Sequence, residues 1–274
     1  MRPSPSSLFV IGAIALSAGV GILAKSASGS EDTAASKARA LPSDAERLGF
    51  TSVGPAVQGV ALLDATRVFR IELGHGPIHG VAPDAARLAS ARALVRRELS
   101  RYPRAFLSAI RMRGIVFADD LREGETAIPS LPNVGGLLLM DVAGSESDLV
   151  RGLHHEVFHF ADLADDGSLA PDPSWEALNA PGFTYGAGGR TLRASWAAHE
   201  PDADGFLSGG FVSPYATSGP EEDKAETFAF AVARAAQIRE RAAKDARLAA
   251  KLHEIARRVG KLDPETPRFL AIDF

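Results

Sequence analysis

Apolar and polar residues alternate along the chain in ways that predict three strands and a helix. Residues 66–73 alternate from one position to the next, which predicts a β-strand. The apolar runs 114–118 and 136–142 predict two more strands, and the almost wholly apolar second run predicts a central place in its sheet. Residues 83–101 begin with a proline and repeat apolar side chains at helical spacing, which predicts a helix.

Three further helices are predicted after these strands. Residues 145 to about 163 begin with the Ser and Asp of a capping box and continue as an amphipathic helix, which Asp165-Asp166-Gly167 closes. An acidic run after a proline predicts a helix over 221–244, and residues 246–259 predict a last one. Residues 165–219 are rich in Gly, Pro, Ser and aromatic side chains, which is typical of a loop-rich insertion that carries function. Together these elements predict an α+β domain over residues 61–274.

The first 60 residues are expected to lie outside this domain. Residues 8–24 are uncharged and are followed by small residues, which is the pattern of a secretory signal peptide over residues 1–28. An uncleaved membrane anchor is the alternative, because these seventeen residues reach the lower limit for a membrane span. Residues 29–60 lack a sustained apolar period and predict a flexible linker with one short helix near residues 43–48. The protein is thus expected to be exported, periplasmic or secreted, or attached to a membrane through residues 8–24.

The amino-acid composition limits the kinds of site and partner. There are no cysteines, so disulfides, thiolate ligands and a cysteine nucleophile are excluded. Any bound metal must therefore use His, Asp or Glu side chains. The formal net charge is −4 and there is no long basic run, which argues against a nucleic-acid partner.

The predicted helix 145–163 carries the segment His155-Glu-Val-Phe-His159. Its two histidines project about 40° apart on one helical face, so they can bind one ion together. Zinc binds neutral imidazoles, and two histidines with one carboxylate leave a position open for water. Glu156 lies next to the first histidine, where it could take a proton from that water and pass it to a leaving nitrogen. The segment therefore predicts a zinc-dependent hydrolase.

The third ligand is expected from the acidic start of the helix 221–244. Glu222 and Glu226 lie one helical turn apart on the same face. One of them could bind the metal while the other accepts a hydrogen bond from a ligating histidine. No histidine after His159 completes the longer HExxHxxGxxH pattern. The alternative is an acidic first turn that only complements the helix dipole.

An HExxH segment followed by Glu222-Asp-Lys-Ala-Glu226 on a later helix resembles the gluzincin zinc metallopeptidases. The similarity is greatest to bacterial zinc-binding metallopeptidases and to the lethal factor and Mlc titration factor group, and it covers residues 149–231. It implies a zincin-like fold, cleavage of a peptide or protein substrate, and Zn2+ as cofactor. It also implies Glu222 as the third ligand and Glu226 as the partner of a ligating histidine. In lethal factor a tyrosine seven residues before that ligand stabilises the oxyanion, and Tyr215 has this position here.

The chain departs from this family in the spacing of the two motifs. His159 and Glu222 are 63 residues apart, which is long for a gluzincin and requires an insertion. The third ligand therefore stays open among Glu221, Glu222 and Glu226. A non-catalytic zinc-binding envelope protein with a zincin fold is the alternative function. Glu156 favours the enzyme, because a binding module has no chemical need for it.

Two other features have more than one interpretation. His154 lies about 140° from His159 around the helix, so it is expected outside the metal site, as a flanking residue that supports a ligand or as a surface histidine. Residues 175–189 are aromatic and rich in glycine, and they predict either a wall of a substrate groove or a self-packed surface loop. Tyr185 in this segment is a weaker candidate than Tyr215 for the oxyanion donor.

Overall fold

The computed structural model describes residues 43–73, 76–186, 188 and 209–269, and these form a mixed α/β fold. The strands are β1 (Phe50–Ser52), β2 (Ala61–Ala65), β3 (Phe69–Leu73), β4 (Gly76–Val81), β5 (Gly114–Glu123), β6 (Thr126–Ala127), β7 (Ser130–Val134) and β8 (Leu137–Asp141). The α-helices are α1 (Ser43–Arg47), α2 (Ala85–Leu99), α3 (Arg104–Ala109), α4 (Glu146–Asp166), α5 (Pro173–Glu176), α6 (Pro220–Ala233), α7 (Ala235–Ala242) and α8 (Ala246–Leu262). Two 3₁₀ helices are formed by Tyr215–Thr217 and Thr266–Phe269.

Strand β5 organises the sheet, because its two halves pair with different neighbours. The first half lies between β2 and β8, both parallel to it, and β1 and β7 add antiparallel edges outside those two strands. The second half pairs antiparallel with β4 and β6, and β3 pairs with β4. The eight strands thus form one mixed sheet.

The apolar run in β5 contributes to two cores at once. Ile115 and Phe117 belong to the core that the sheet shares with the helices, whereas Val116 and Ala118 belong to a second, smaller core. Successive side chains of a strand face opposite sides, so a strand that is covered on both faces needs apolar residues throughout.

Most of the predicted elements are confirmed, with shifted ends. The strand predicted at 66–73 begins at Phe69, and the strands predicted at 114–118 and 136–142 correspond to β5 and β8. Strand β8 has a paired strand on each side, as its apolar sequence predicted. Helices α2 and α8 confirm the first and last predicted helices.

The short helix predicted near residues 43–48 is confirmed, and a strand that was not predicted follows it, so the described fold begins before residue 61. These two elements are helix α1 and strand β1. Phe50 is fully buried, and its ring packs edge-on against Phe69 with 5.0 Å between centroids. Single apolar residues between small ones give no local period, and Phe50 is buried only because strands distant in sequence cover it.

Residues 1–42 lie outside the described residues, and they include the predicted signal peptide or anchor. No helix in the part of the chain that the structure describes is long and apolar enough to cross a membrane. Export and membrane attachment through residues 8–24 therefore stay predictions.

Helix α4 begins and ends as its sequence predicted. The Ser145 hydroxyl accepts a hydrogen bond from the Asp148 backbone N–H at 3.2 Å, and the Asp148 carboxylate accepts one from the Ser145 N–H at 3.3 Å. This capping box satisfies two backbone donors that the first turn would leave unpaired. Gly167 ends the helix with a positive φ of 79°, which costs glycine little. The HExxH segment therefore lies in the middle of a well-defined helix.

The segment 221–244 forms two helices, α6 and α7, so the prediction of one continuous helix is wrong. The backbone leaves the helical region at Arg234, with φ −129° and ψ 43°. Its N–H still donates to the Phe230 carbonyl at 2.8 Å, and its guanidinium lies 5.0 Å from the centre of the Phe230 ring. No proline or glycine marks the break. The change of direction instead accompanies the burial of Ile238 of α7 in the core, which is a tertiary effect.

Candidate metal centre

The packing of α4 against α6 brings His155, His159 and Glu222 together in the protein interior. The Nε2 atoms of the two histidines are 3.0 Å apart. Oε2 of Glu222 lies 3.1 Å from Nε2 of His155 and 3.4 Å from Nε2 of His159. All three side chains are buried. Three potential ligand atoms from two helices therefore converge on one point.

This set of atoms fits a zinc ion in geometry and in chemistry. Ligands at about 2.0–2.1 Å from zinc in a tetrahedral arrangement are about 3.3 Å from one another. The three separations here, 3.0, 3.1 and 3.4 Å, are close to that value. Two imidazoles and one carboxylate are also donors that zinc accepts, and they leave a fourth position for water or substrate. No other group of three His, Asp or Glu side chains with this convergence occurs among the described residues.

Glu226 supports the first histidine from its other side. Its Oε1 lies 2.9 Å from Nδ1 of His155, and its Oε2 accepts a hydrogen bond from the Ser213 hydroxyl at 2.6 Å. A proton on Nδ1 that is donated to Glu226 leaves the Nε2 lone pair directed at the cluster, which is the tautomer that binds metals. Of the three candidate glutamates, Glu222 therefore faces the ligand atoms and Glu226 faces the back of a ligand. Glu221 is only partly buried and is not part of the cluster.

The cluster favours a positive charge between its carboxylates. Burial disfavours the charged form of His155, but hydrogen bonds to Glu222 and Glu226 outweigh it and raise the pKa of His155 to about 10. Burial likewise opposes ionisation of Glu222, yet its hydrogen bonds with the two histidines hold its pKa well below the usual range. A buried site of two anionic and two imidazole side chains is suited to hold a cation.

Glu156 lies on α4 next to His155. One of its carboxylate oxygens accepts a hydrogen bond and the other does not. Its side chain is buried, and its Oε1 accepts a hydrogen bond from the Ser130 hydroxyl at 2.5 Å. Its Oε2 is also buried but has no hydrogen-bond partner in the described part of the protein. A buried carboxylate oxygen without a donor is costly unless something else binds there. This oxygen is therefore free to accept a hydrogen bond or a proton.

Tyr215 lies beside the same histidine. It begins the 3₁₀ helix that leads into α6, and its ring centroid is 5.9 Å from that of His155. The side chain is buried, with 3% of its surface exposed. The structure thus brings Tyr215 and Glu226 to the cluster of His155, His159 and Glu222, and Glu156 follows His155 on α4.

The described part of the segment 175–189 contacts α6 and the core through a few side chains, so it does not pack only against itself. Trp175 is fully buried and donates from its indole nitrogen to Asp223 Oδ2 at 2.9 Å. The Tyr185 hydroxyl donates to the same oxygen at 2.6 Å. Gly186 donates its N–H to the Thr217 carbonyl at 3.0 Å, beside the turn that carries Tyr215. The Tyr185 hydroxyl is therefore bound to Asp223 and does not lie in the cluster of candidate ligands. Residues 187 and 189–208 lie outside the described residues.

Two buried lysines also hold α6, and sequence reasoning missed both. Lys251 of α8 lies 2.6 Å from Asp223, and both side chains have no exposed surface. Lys224 lies 2.6 Å from Asp162 of α4 and 2.9 Å from Asp172. Burial raises the pKa of Asp223 and lowers the pKa of Lys251, and their mutual attraction opposes both shifts without reversing them. The acidic first turn of α6 is thus an interior element and not a solvated one.

We expect Lys251→Met to lower the free energy of unfolding by about 3–5 kcal/mol, because it leaves Asp223 buried without a cation. Methionine keeps an unbranched apolar side chain but also removes the ammonium nitrogen, which lies 3.8 Å from the centre of the Phe211 ring. Urea unfolding of the metal-free protein measures the change. Lys244→Met is the matched control, because Lys244 pairs with Glu240 on the surface, where both side chains are more than 70% exposed. Equal effects of the two substitutions would contradict the role of the buried pair.

His154 lies on the opposite side of α4, so it neither supports a ligand nor lies on the surface. It is fully buried. Its Nδ1 lies 2.6 Å from the Tyr102 hydroxyl and its Nε2 lies 3.2 Å from Glu98 Oε2. Burial lowers the pKa of His154, although Glu98 opposes this shift. A neutral ring that accepts from Tyr102 and donates to Glu98 satisfies both contacts and joins α4 to α2.

A cavity of about 550 Å3 lies between the segment that leads from β6 into the start of β7 and the first turns of α4. Ser130, which donates to Glu156, is part of its wall, so the cavity adjoins the candidate catalytic glutamate. Its apolar lining includes Ile128, Met140 and Leu149. A pocket of this size beside a reactive group can hold a substrate side chain.

Comparison with protein-family models, with curated proteins and with solved structures finds no match to this chain. The resemblance to gluzincins therefore rests on the motifs alone. The function is therefore inferred from the positions of His155, His159 and Glu222 and of the side chains around them.

Proposed function

We propose that this protein is a zinc-dependent metallopeptidase with a zincin-like fold, related to the gluzincins. The observation that carries the proposal is the buried convergence of His155, His159 and Glu222, with Glu156 beside it. The mixed sheet and the two helices that carry the motifs are compatible with such a fold. The apolar residues 8–24 favour an exported enzyme that acts on peptides or proteins outside the cytoplasm.

The roles of the residues follow from their positions. His155, His159 and Glu222 would hold the zinc ion, which when bound would polarise both an attacking water and the substrate carbonyl. Glu156 would take the proton of that water through its available Oε2 and pass it to the leaving nitrogen of the cleaved bond. Tyr215 would donate a hydrogen bond to the oxyanion that develops on the carbonyl oxygen. Glu226 would keep His155 in the tautomer that binds metal.

Metal analysis and a peptidase assay test this proposal together. The purified protein is expected to contain zinc at close to one ion per chain and to cleave an unfolded casein-like substrate, with loss of activity after chelation and recovery on addition of zinc. Absence of near-stoichiometric zinc from the wild type would contradict the metal site. Stoichiometric zinc without hydrolysis of any peptide would instead support a non-catalytic zinc-binding envelope protein.

Tyr215→Phe is expected to lower kcat by about 10²–10³-fold, because it removes one donor to the oxyanion. The zinc content should not change, since Tyr215 is not part of the ligand cluster. Steady-state kinetics with metal analysis measures both quantities.

The matched control for this substitution is Tyr185→Phe. It removes a hydroxyl that donates to the buried Asp223, so it should reduce stability while it changes kcat much less. A larger loss of kcat in the Tyr185 variant than in the Tyr215 variant would indicate that Tyr185 is the oxyanion donor.

A further inference from the structure

The Ser130–Glu156 hydrogen bond joins the sheet to the candidate catalytic helix. Ser130 is the first residue of β7, where it pairs with Met140 of β8. The preceding carbonyl, that of Pro129, accepts a hydrogen bond from the Asp141 N–H at 2.9 Å. The backbone on both sides of the Ser130 hydroxyl is therefore held by the sheet, and its Oγ is 2.5 Å from Oε1 of Glu156.

This contact makes the two oxygens of Glu156 inequivalent. Oε1 accepts from the hydroxyl of Ser130, a residue with 7% of its surface exposed, whereas Oε2 is buried with no donor among the described residues. A glutamate side chain has a soft terminal torsion, so a carboxylate without a partner would turn between orientations. One hydrogen bond from a rigid strand stops that rotation and leaves a single oxygen for proton transfer.

We propose that Ser130 is the positioning residue for Glu156 in peptide hydrolysis, with Oε2 of Glu156 as the oxygen that accepts the proton. The inference rests on the proposed function and adds to it a residue outside both sequence motifs. Ser130 acts through Glu156 and does not hold the metal, because it is not part of the cluster of His155, His159 and Glu222. Its loss should therefore affect turnover and not zinc content.

The test compares Ser130→Ala, Ser130→Val and Ser130→Thr. Valine and threonine have nearly the same shape and differ in the hydroxyl, so this pair separates the hydrogen bond from the packing against the adjoining cavity. Ala and Val are expected to lower kcat by about 10–100-fold, with KM little changed and zinc retained, and Thr is expected to restore turnover. Crystals of the Ala and Thr variants supply a readout other than activity. The Glu156 carboxylate should be turned or split between orientations in the Ala variant and single in the Thr variant.

The outcomes separate this inference from the function on which it rests. A wild-type protein that cleaves no peptide overturns the proposed function and the inference with it. An active wild type with equal kcat in the Ala variant overturns the positioning role alone. Equal losses in the Val and Thr variants, with an unchanged Glu156 orientation, would also overturn it, because packing would then account for the effect.

Discussion

Glu156→Gln is expected to abolish measurable peptide hydrolysis and to leave zinc bound. Glutamine has almost the same shape as glutamate, and its carbonyl oxygen can still accept the hydrogen bond from Ser130. It cannot take a proton from water at neutral pH, and general acid–base catalysis contributes about 10²–10⁴-fold to such reactions. The proposed zinc ligands are His155, His159 and Glu222, so the stoichiometry of metal should stay near one. Measurement of kcat and of zinc content on the same preparation gives both results.

A second glutamine substitution provides the control. Glu240→Gln changes an exposed carboxylate on α7, far outside the metal cluster, and should leave kcat unchanged. Wild-type turnover in the Glu156 variant would show that the proton acceptor lies elsewhere. Loss of zinc from that variant would show that Glu156 is itself a ligand.

The parts of the fold and site that were predictable are those that depend on short stretches of sequence. The cap at Ser145, the glycine end at Gly167 and the face shared by His155 and His159 all follow from residues within one or two helical turns. The same applies to the position of Glu222 one turn before Glu226 on α6. Local spacing is enough to state which side chains share a face.

Other features depend on contacts between residues far apart in the chain, and no local pattern reveals them. Phe50 is buried because β3 covers it, and the helix break at Arg234 lies in a sequence without a breaker. Ser130 reaches Glu156 only because β7 lies next to α4. His154 has the same local surroundings as His155, yet it faces α2 and has a structural role. Its angular separation from His159 correctly excluded it from the metal site but could not indicate its burial.

Within residues 222–226, α6 carries a candidate metal ligand, two buried charged side chains and a partner of His155. Asp223 accepts from Trp175, Tyr185 and Lys251, while Lys224 pairs with Asp162 and Asp172. Asp223 and Lys224 thus project from other sides of α6 than Glu222 and Glu226, which face the histidines of α4. These contacts fix the rotation of the helix about its axis, and this rotation decides which glutamate faces the cluster.

Glu222→Ala and Glu226→Ala are therefore expected to have different effects on zinc. Removal of Glu222 takes away one of three ligand atoms and should release zinc outright during dialysis against a weak chelator. Removal of Glu226 leaves all three ligands but frees the ring of His155 to turn, and should weaken zinc binding by about 10–100-fold. Competition with a chromophoric chelator measures the two dissociation constants.

Glu221→Ala is the matched control, because Glu221 belongs to the same helical turn and has the same side chain but is not part of the cluster. It should bind zinc as the wild type does. Zinc release in this variant with retention in the Glu222 variant would mean that α6 is rotated by one residue about its axis from the orientation described. The buried pairs of Asp223 and Lys224 oppose such a rotation, since it would remove both of them from their partners. Zinc binding by the three glutamate variants thus tests both the metal site and the packing of α6 that creates it.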